Sequence, residues 1–296
     1  MNARLIDEVA AAILYEGYLL YPYRASAVKN RQRWNFGVLY PRSYAEHQSG
    51  ADAWSMQTEC LLRAGAEAFV QVRVRFLHLI GAGAMEREIA MPRLRLSEIT
   101  QSPASHSLDC APAEDQRPMD ATVEAASARL DDGLYRLRIT IQNATAFDGS
   151  TREEALAQSL ISTHTILGID GGAFVSLLDP PADLREAALA CENRGTWPVL
   201  AGEEGVPDAM LSSPIILYDY PQIAPESPGA LFDGTEIDEI LSLRILTLTD
   251  EEKAAMAQAD ERTRAILERT ESMPPEQFLK MHGVLRGLRA EREEAS

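Results

Sequence analysis

The chain has 296 residues, 46% of them apolar, a mean hydropathy of -0.18 and a formal net charge of -17. That length suits one large domain or two small ones with a real core. The apolar runs are short and interrupted, so no membrane-spanning helix is expected, and the acidic bulk repels nucleic-acid phosphates and anionic membrane surfaces.

Asp7 and Glu8 stand where a secretory signal would carry no acid, which predicts a cytoplasmic protein. Leu5, Ile6, Val9 and Ile13 recur at helical spacing and predict a helix over residues 2–16. Residues 34–40 read as a strand ending before Pro41. Residues 55–63 and 68–80 read as a hairpin. In its second arm Val70, Val72, Val74 and Phe76 alternate with Gln71, Arg73 and Arg75, the period of a half-buried strand. Residues 85–97 read as a further strand broken at Pro92, and residues 99–120, rich in Ser, Pro, Asp and Gln, as a loop. Two strands, 121–130 and 134–143, flank the turn signal Asp131-Asp132-Gly133. Residues 151–160 are helical or irregular. A second strand pair, 161–169 and 173–178, is expected around Asp170-Gly171-Gly172, then a short helix over 182–191 and short strands at 197–200 and 215–220. Pro221, Pro225 and Pro228 predict an extended linker. Helices follow over 235–245, over 250–270 behind the capping box of Thr249 and Glu252, and after Pro274-Pro275. The expected fold is α+β. An antiparallel β-rich body, sandwich-like or a curled sheet, carries the N-terminal helix over residues 1–230, and a helical segment occupies 231–296.

Residues 15–44 stand apart. They hold eight of the chain's 19 aromatic residues, and from Gly17 to Ala45 there are five basic residues and no acid. Aromatic rings interleaved with arginine suit a protein-interface hot spot. They also suit a flat anionic ligand or stacked bases, or a core-covering segment whose arginines pair with the chain's own carboxylates. The acidic remainder of the chain counts against nucleic acid. The candidate partner-binding residues are Tyr18, Tyr21, Tyr23, Arg24, Arg31, Arg33 and Trp34.

Carboxylates cluster over 219–239, where Asp219, Asp233 and Glu236 are the candidate ligands for a hard cation. The ordered ligands of an EF-hand are missing, and Asp233, Glu236 and Asp238 also sit where a helix start wants negative charge, which is the favoured account. Cys60, Cys110 and Cys191 form no CxxC pair and are read as reduced thiols. The five histidines form no HxH or HExxH pattern, and no GxSxG occurs. Ser162-Thr163-His164-Thr165 sets hydroxyls beside an imidazole, and Cys191 with His164 is a conceivable nucleophilic pair. Gly81-Ala82-Gly83 and Gly171-Gly172 match no phosphate-binding loop. No metal or cofactor is expected.

Residues 14–24 (LYEGYLLYPYR), 30–37 (NRQRWNFG), 212–219 (SSPIILYD) and 235–241 (TEIDEIL) carry a resemblance that covers most of the chain. The chain resembles a protein family associated with nickel–iron hydrogenase gene clusters of actinobacteria and proteobacteria. The resemblance implies an accessory or assembly role beside a hydrogenase, with a hydrogenase subunit or maturation factor as partner. The clustered Cys and His of a metal chaperone are missing. The leading expectation is therefore a non-enzymatic accessory or scaffold protein. The alternatives are a metal-dependent hydrolase-type enzyme using Asp219, Asp233, Glu236 and His164, and a module binding an anionic small ligand.

Overall fold

A computed structural model of the chain describes residues 3–14, 36–48, 52–80, 83–110 and 118–222, and near the C-terminus residues 250, 253, 264, 267–268 and 271–272. The chain divides into two units, residues 1–18 with 32–223 and residues 19–31 with 224–296. The expected C-terminal helices lie mostly outside the described residues.

The described residues of the first unit form an antiparallel sheet of nine strands built around one long element, β1 (Ser55–Ile80). Drawn straight at about 3.3 Å per residue, 26 residues would reach about 85 Å. A unit of this size has a radius of gyration of about 17 Å, so the strand must bend. It bends where its pairing with β7 (Ile161–Val175) passes from Ala64↔Gly172 to Phe69↔Asp170. Residues 65–68 of β1 there stand opposite Gly171 alone, whose φ of +84° only glycine adopts readily.

This bend corrects two expectations. Residues 55–63 and 68–80 are one strand, and so are 161–169 and 173–175. Residues 65–68 are a bulge in β1, and Asp170-Gly171-Gly172 runs opposite it within β7; neither stretch is a hairpin turn. Residues 176–178 lie beyond the end of β7.

β5 (Met119–Asp131) and β6 (Leu134–Asn143) form the hairpin read from the sequence. The order across the sheet is β4-β5-β6-β1-β7-β9-β8, with β4 at Ala104–Cys110, β8 at Trp197–Leu200 and β9 at Ala209–Ser213. Beyond β6, the same edge of β1 pairs with β3 (Leu94–Arg95) and β2 (Gly83–Ala90). Cys60 and Leu62 before the bend, and Val70, Val72, Val74 and Phe76 after it, belong to one buried cluster with residues of β5, β6, β7, β8 and β9. The two halves of the curled sheet thus close over a single core.

Helices cover the outside; the short α2 (Arg42–His47) buries Tyr44 and Ala45. In α1 (Ala3–Leu14) the stripe Ile6, Ala10 and Ile13 packs on Ile166, Ala209 and Leu211 of the sheet. In α5 (Arg185–Leu189) Ala188, with Leu184 from the preceding 3-10 turn, packs on Leu61, Leu134 and Val175. Leu96 and Ile99 of α3 (Leu96–Gln101) enter the main core.

Three further expectations are corrected. In 99–120 the described residues hold the end of α3 and the edge strand β4. Among the described residues that strand pairs on one side only, and polar residues suffice: Ser105 and Ser107 are exposed, Ala104, His106 and Leu108 half-buried. In 34–40 the described part is irregular apart from bridges from Leu39 to Ala53 and Leu160. Residues 215–220 are not a strand. β9 ends before Pro214, and the chain then folds back so that Tyr220 N–H donates to Leu200 O at 2.7 Å. Among the described residues no helix is long and apolar enough to cross a membrane.

Candidate functional site

Ser162 is the residue on which the body's most unusual junction turns. The pairing of β1 with β7 shifts between Arg75↔His164 and Leu77↔Ile161, a bulge that leaves Ser162 with φ of +52°. Non-glycine residues seldom adopt that conformation. Its hydroxyl donates to Ile13 O in the last turn of α1 at 3.2 Å. Its backbone N–H donates to Phe36 O at 3.1 Å, and the next N–H, of Thr163, donates to Gly37 O at 3.0 Å. One buried residue thus bonds both Ile13 and Phe36. Gly37 has φ of +54°, and a Cβ there would lie 2.7 Å from Pro214 Cγ and 3.0 Å from Thr163 N. The junction is closely fitted around a glycine.

Gly37 also lines a cavity of about 310 Å³ with Tyr40, Asp52, Met56, Arg152 and Gly195. Burial pushes the Tyr40 hydroxyl up; Asp52 adds to that, and the Arg152 guanidinium, which also hydrogen-bonds it, opposes it. Tyr40 therefore stays protonated at neutral pH. Its ring lies 5.3 Å from that of Tyr44, which meets Phe147 edge-on at 5.8 Å. Arg152 is the first residue of α4 (Arg152–Leu156), whose start is fixed by a capping box between Thr151 and Glu154.

His164 lies across the sheet from Arg75, near α1. It is fully buried; its Nδ1 lies 3.0 Å from Ser162 O, and its Nε2 has no hydrogen-bond partner among the described residues. Burial, with further pressure from Arg75 and Arg73, pushes its pKa down to about 4. Those arginines tie α1 to the sheet: Arg73 pairs with the Asp7 carboxylate, while Arg75 donates to Asp7 O and pairs with Glu86 at 3.1 Å.

Cys191 sits with the α5 cluster on another part of the sheet, its thiol donating to Ala187 O at 3.6 Å. Burial pushes it up to about 11 and pushes Cys60 higher still. The conceivable Cys191–His164 pair does not form, and neither thiol is nucleophilic at neutral pH.

The seven candidate partner-binding residues, Tyr18, Tyr21, Tyr23, Arg24, Arg31, Arg33 and Trp34, lie outside the described residues, as do Asp233 and Glu236. Asp219 accepts from Ser176 Oγ at 2.5 Å and from Leu200 N–H at 2.8 Å, which fixes the turn that follows β9 against β8. Among the described residues no group of three His, Cys, Asp or Glu side chains converges to hold a metal ion. Among the described residues the most deeply buried acid is Glu59, which accepts from Arg138 Nε at 2.7 Å and Glu192 N–H at 2.8 Å, with Arg136 Nε at 3.8 Å. It anchors residues 190–194 to β1 and β6.

No family model matches the chain, and no curated protein matches it. Sequence reading missed the clamp. The run Ser162–Thr165 and the stretch ending at Gly37 were both visible, but their convergence depends on the bulge in β7.

Proposed function

We propose that the chain is a non-enzymatic accessory or scaffold protein. It binds a protein partner through Tyr18, Tyr21, Tyr23, Arg24, Arg31, Arg33 and Trp34. The partner is a subunit or maturation factor of a nickel–iron hydrogenase, the setting is cytoplasmic, and a helical segment over 231–296 completes the fold. The observation that supports this reading is the clamp at Ser162. Its bonds hold Ile13 and Phe36, which flank the candidate residues in the chain, at one point of the body. Its aromatic and arginine residues are the types that dominate binding energy at protein interfaces.

The chemistry of the body agrees. His164 is buried and neutral, the thiols of Cys60 and Cys191 stay protonated, and Asp219 caps a turn. None is left with a substrate-facing role. Replacing Arg31, Arg33 and Trp34 together by Ala should abolish partner capture while the β signature in circular dichroism persists. Undiminished capture by the folded variant would sink the surface assignment.

One observation favours a second reading, a module for an anionic small ligand. The cavity beside the clamp sets Arg152 and the protonated Tyr40 hydroxyl on one wall. A thermal shift with small carboxylates that Arg152→Gln removes would favour it over the scaffold reading.

A further inference from the structure

The cavity beside the clamp is lined by two charges of opposite sign, Asp52 and Arg152. Both reach the same phenols. Beyond the burial that raises the Tyr40 hydroxyl, Arg152 opposes the rise and Asp52 adds to it. Tyr44, whose ring packs on that of Tyr40, is raised by its own burial and feels the same two groups with the same signs. An anion placed beside Arg152 therefore also lies within the field of Asp52.

The walls that carry these groups are held in place. Tyr40 N–H donates to Ala53 O at 2.8 Å, which fixes the residues around Asp52 beside Tyr40. Arg152 begins α4, whose first turn is set by its capping box. Gln57 and Arg194 exchange both backbone hydrogen bonds, at 3.1 and 2.9 Å, and so position the next residue, Gly195, in the lining. A Cβ on Gly195 would lie 3.9 Å from Met56 Cε. Met56 and Leu39, both buried, add apolar surface to the cavity. A site with fixed walls loses little freedom when a ligand enters.

Resting on the ligand-binding reading above, we propose that this cavity takes a free amino acid with an aliphatic side chain. Its carboxylate meets Arg152 and the Tyr40 O–H, its ammonium meets Asp52, and its side chain lies on Met56 and Leu39. A guanidinium has five N–H donors, so Arg152 can serve a carboxylate while it also bonds Tyr40. The pair of charges decides the class. A carboxylate without an ammonium faces Asp52, and an amine without a carboxylate faces Arg152, each meeting its own sign. The volume, about 310 Å³, is at the small end of ligand sites and fits a single amino acid better than a nucleotide.

The test is calorimetry and thermal shift on the full chain with three ligands of one skeleton: L-leucine, isocaproate, which lacks the ammonium, and isoamylamine, which lacks the carboxylate. L-leucine should bind, and each of the others at least about tenfold more weakly, the effect of one lost charged hydrogen bond. Asp52→Asn should bring L-leucine down to the level of isocaproate without weakening isocaproate. Arg152→Gln should weaken both. Circular dichroism checks that each variant is folded, and the comparison of ligands on the parent chain needs no variant.

Equal binding of L-leucine and isocaproate, unmoved by Asp52→Asn, would overturn the amino-acid proposal and leave the anionic-ligand reading standing. No binding of isocaproate, L-leucine, L-valine, L-isoleucine or L-methionine would overturn both, as would a preference for isoamylamine. Partner capture through Arg31, Arg33 and Trp34 is tested separately.

Discussion

Ser162→Gly and Ser162→Ala should separate the two things Ser162 does. Its left-handed backbone costs a non-glycine residue about 1–2 kcal/mol. Its hydroxyl gives a buried carbonyl of α1 a hydrogen bond worth about 1 kcal/mol net. Alanine keeps the strain and loses the bond, so Ser162→Ala should lower stability by about 1–2 kcal/mol. Glycine loses the same bond but relieves the strain, so Ser162→Gly should stay within about 1 kcal/mol of the parent and be the more stable of the two. Urea unfolding followed by circular dichroism reads the difference. With a slope of about 2 kcal/mol/M, the alanine midpoint should fall by about 0.5–1 M at unchanged slope. A glycine variant as damaged as the alanine variant would refute the reasoning, because the backbone at 162 would then carry no relievable strain.

Other outcomes follow from the same geometry. The buried neutral His164 has its pKa lowered from 6.5 to about 4, so its contribution is full above pH 6.5 and is lost as pH falls toward 4, by about 3 kcal/mol. His164→Gln should flatten stability over that window, and an unchanged pH slope would count against a neutral buried imidazole. Arg136→Leu with Arg138→Leu strips Glu59 of both its cations and should cost about 3–5 kcal/mol, whereas Arg138→Leu alone should cost clearly less. Equal losses in chemical denaturation would show that Arg136 contributes nothing. Gly37→Ala should lower the melting temperature, since the added methyl meets Pro214 in a left-handed backbone. Alkylation mapped by peptide mass at pH 8 should leave Cys60 and Cys191 unlabelled until the fold opens, and rapid labelling of either in the native state would contradict their raised pKa values.

Local signals were legible where one strand meets one turn. The alternation of Tyr135, Leu137, Ile139 and Ile141 and the turn at Asp131-Asp132-Gly133 fixed the β5–β6 hairpin. The stripe Ile6 and Ile13 fixed α1. The failures have different causes. A short glycine-bearing stretch fits a bulge or a paired strand as well as a turn, and only the partner strand decides which, so β1 and β7 each read as two strands. The edge strand β4 was invisible because a strand with one neighbour and one half-buried face has no need of an apolar alternation. Of the chemistry-bearing residues, His164 was visible in the sequence, but its burial beside Arg73 and Arg75 was not, because those residues meet it only across the sheet.

The central claim is that this chain binds a protein partner through the aromatic and basic residues between Tyr18 and Trp34. The measurement that tests it most directly is a tagged pull-down from the source organism, read by mass spectrometry, with the parent chain and the Arg31→Ala, Arg33→Ala, Trp34→Ala variant side by side and metal content determined on both eluates. The account predicts near-stoichiometric recovery of a hydrogenase subunit or maturation factor with the parent chain, and its loss with a variant that remains folded. Recovery of the same partner by both proteins, or a partner-free parent chain carrying bound metal, would contradict it.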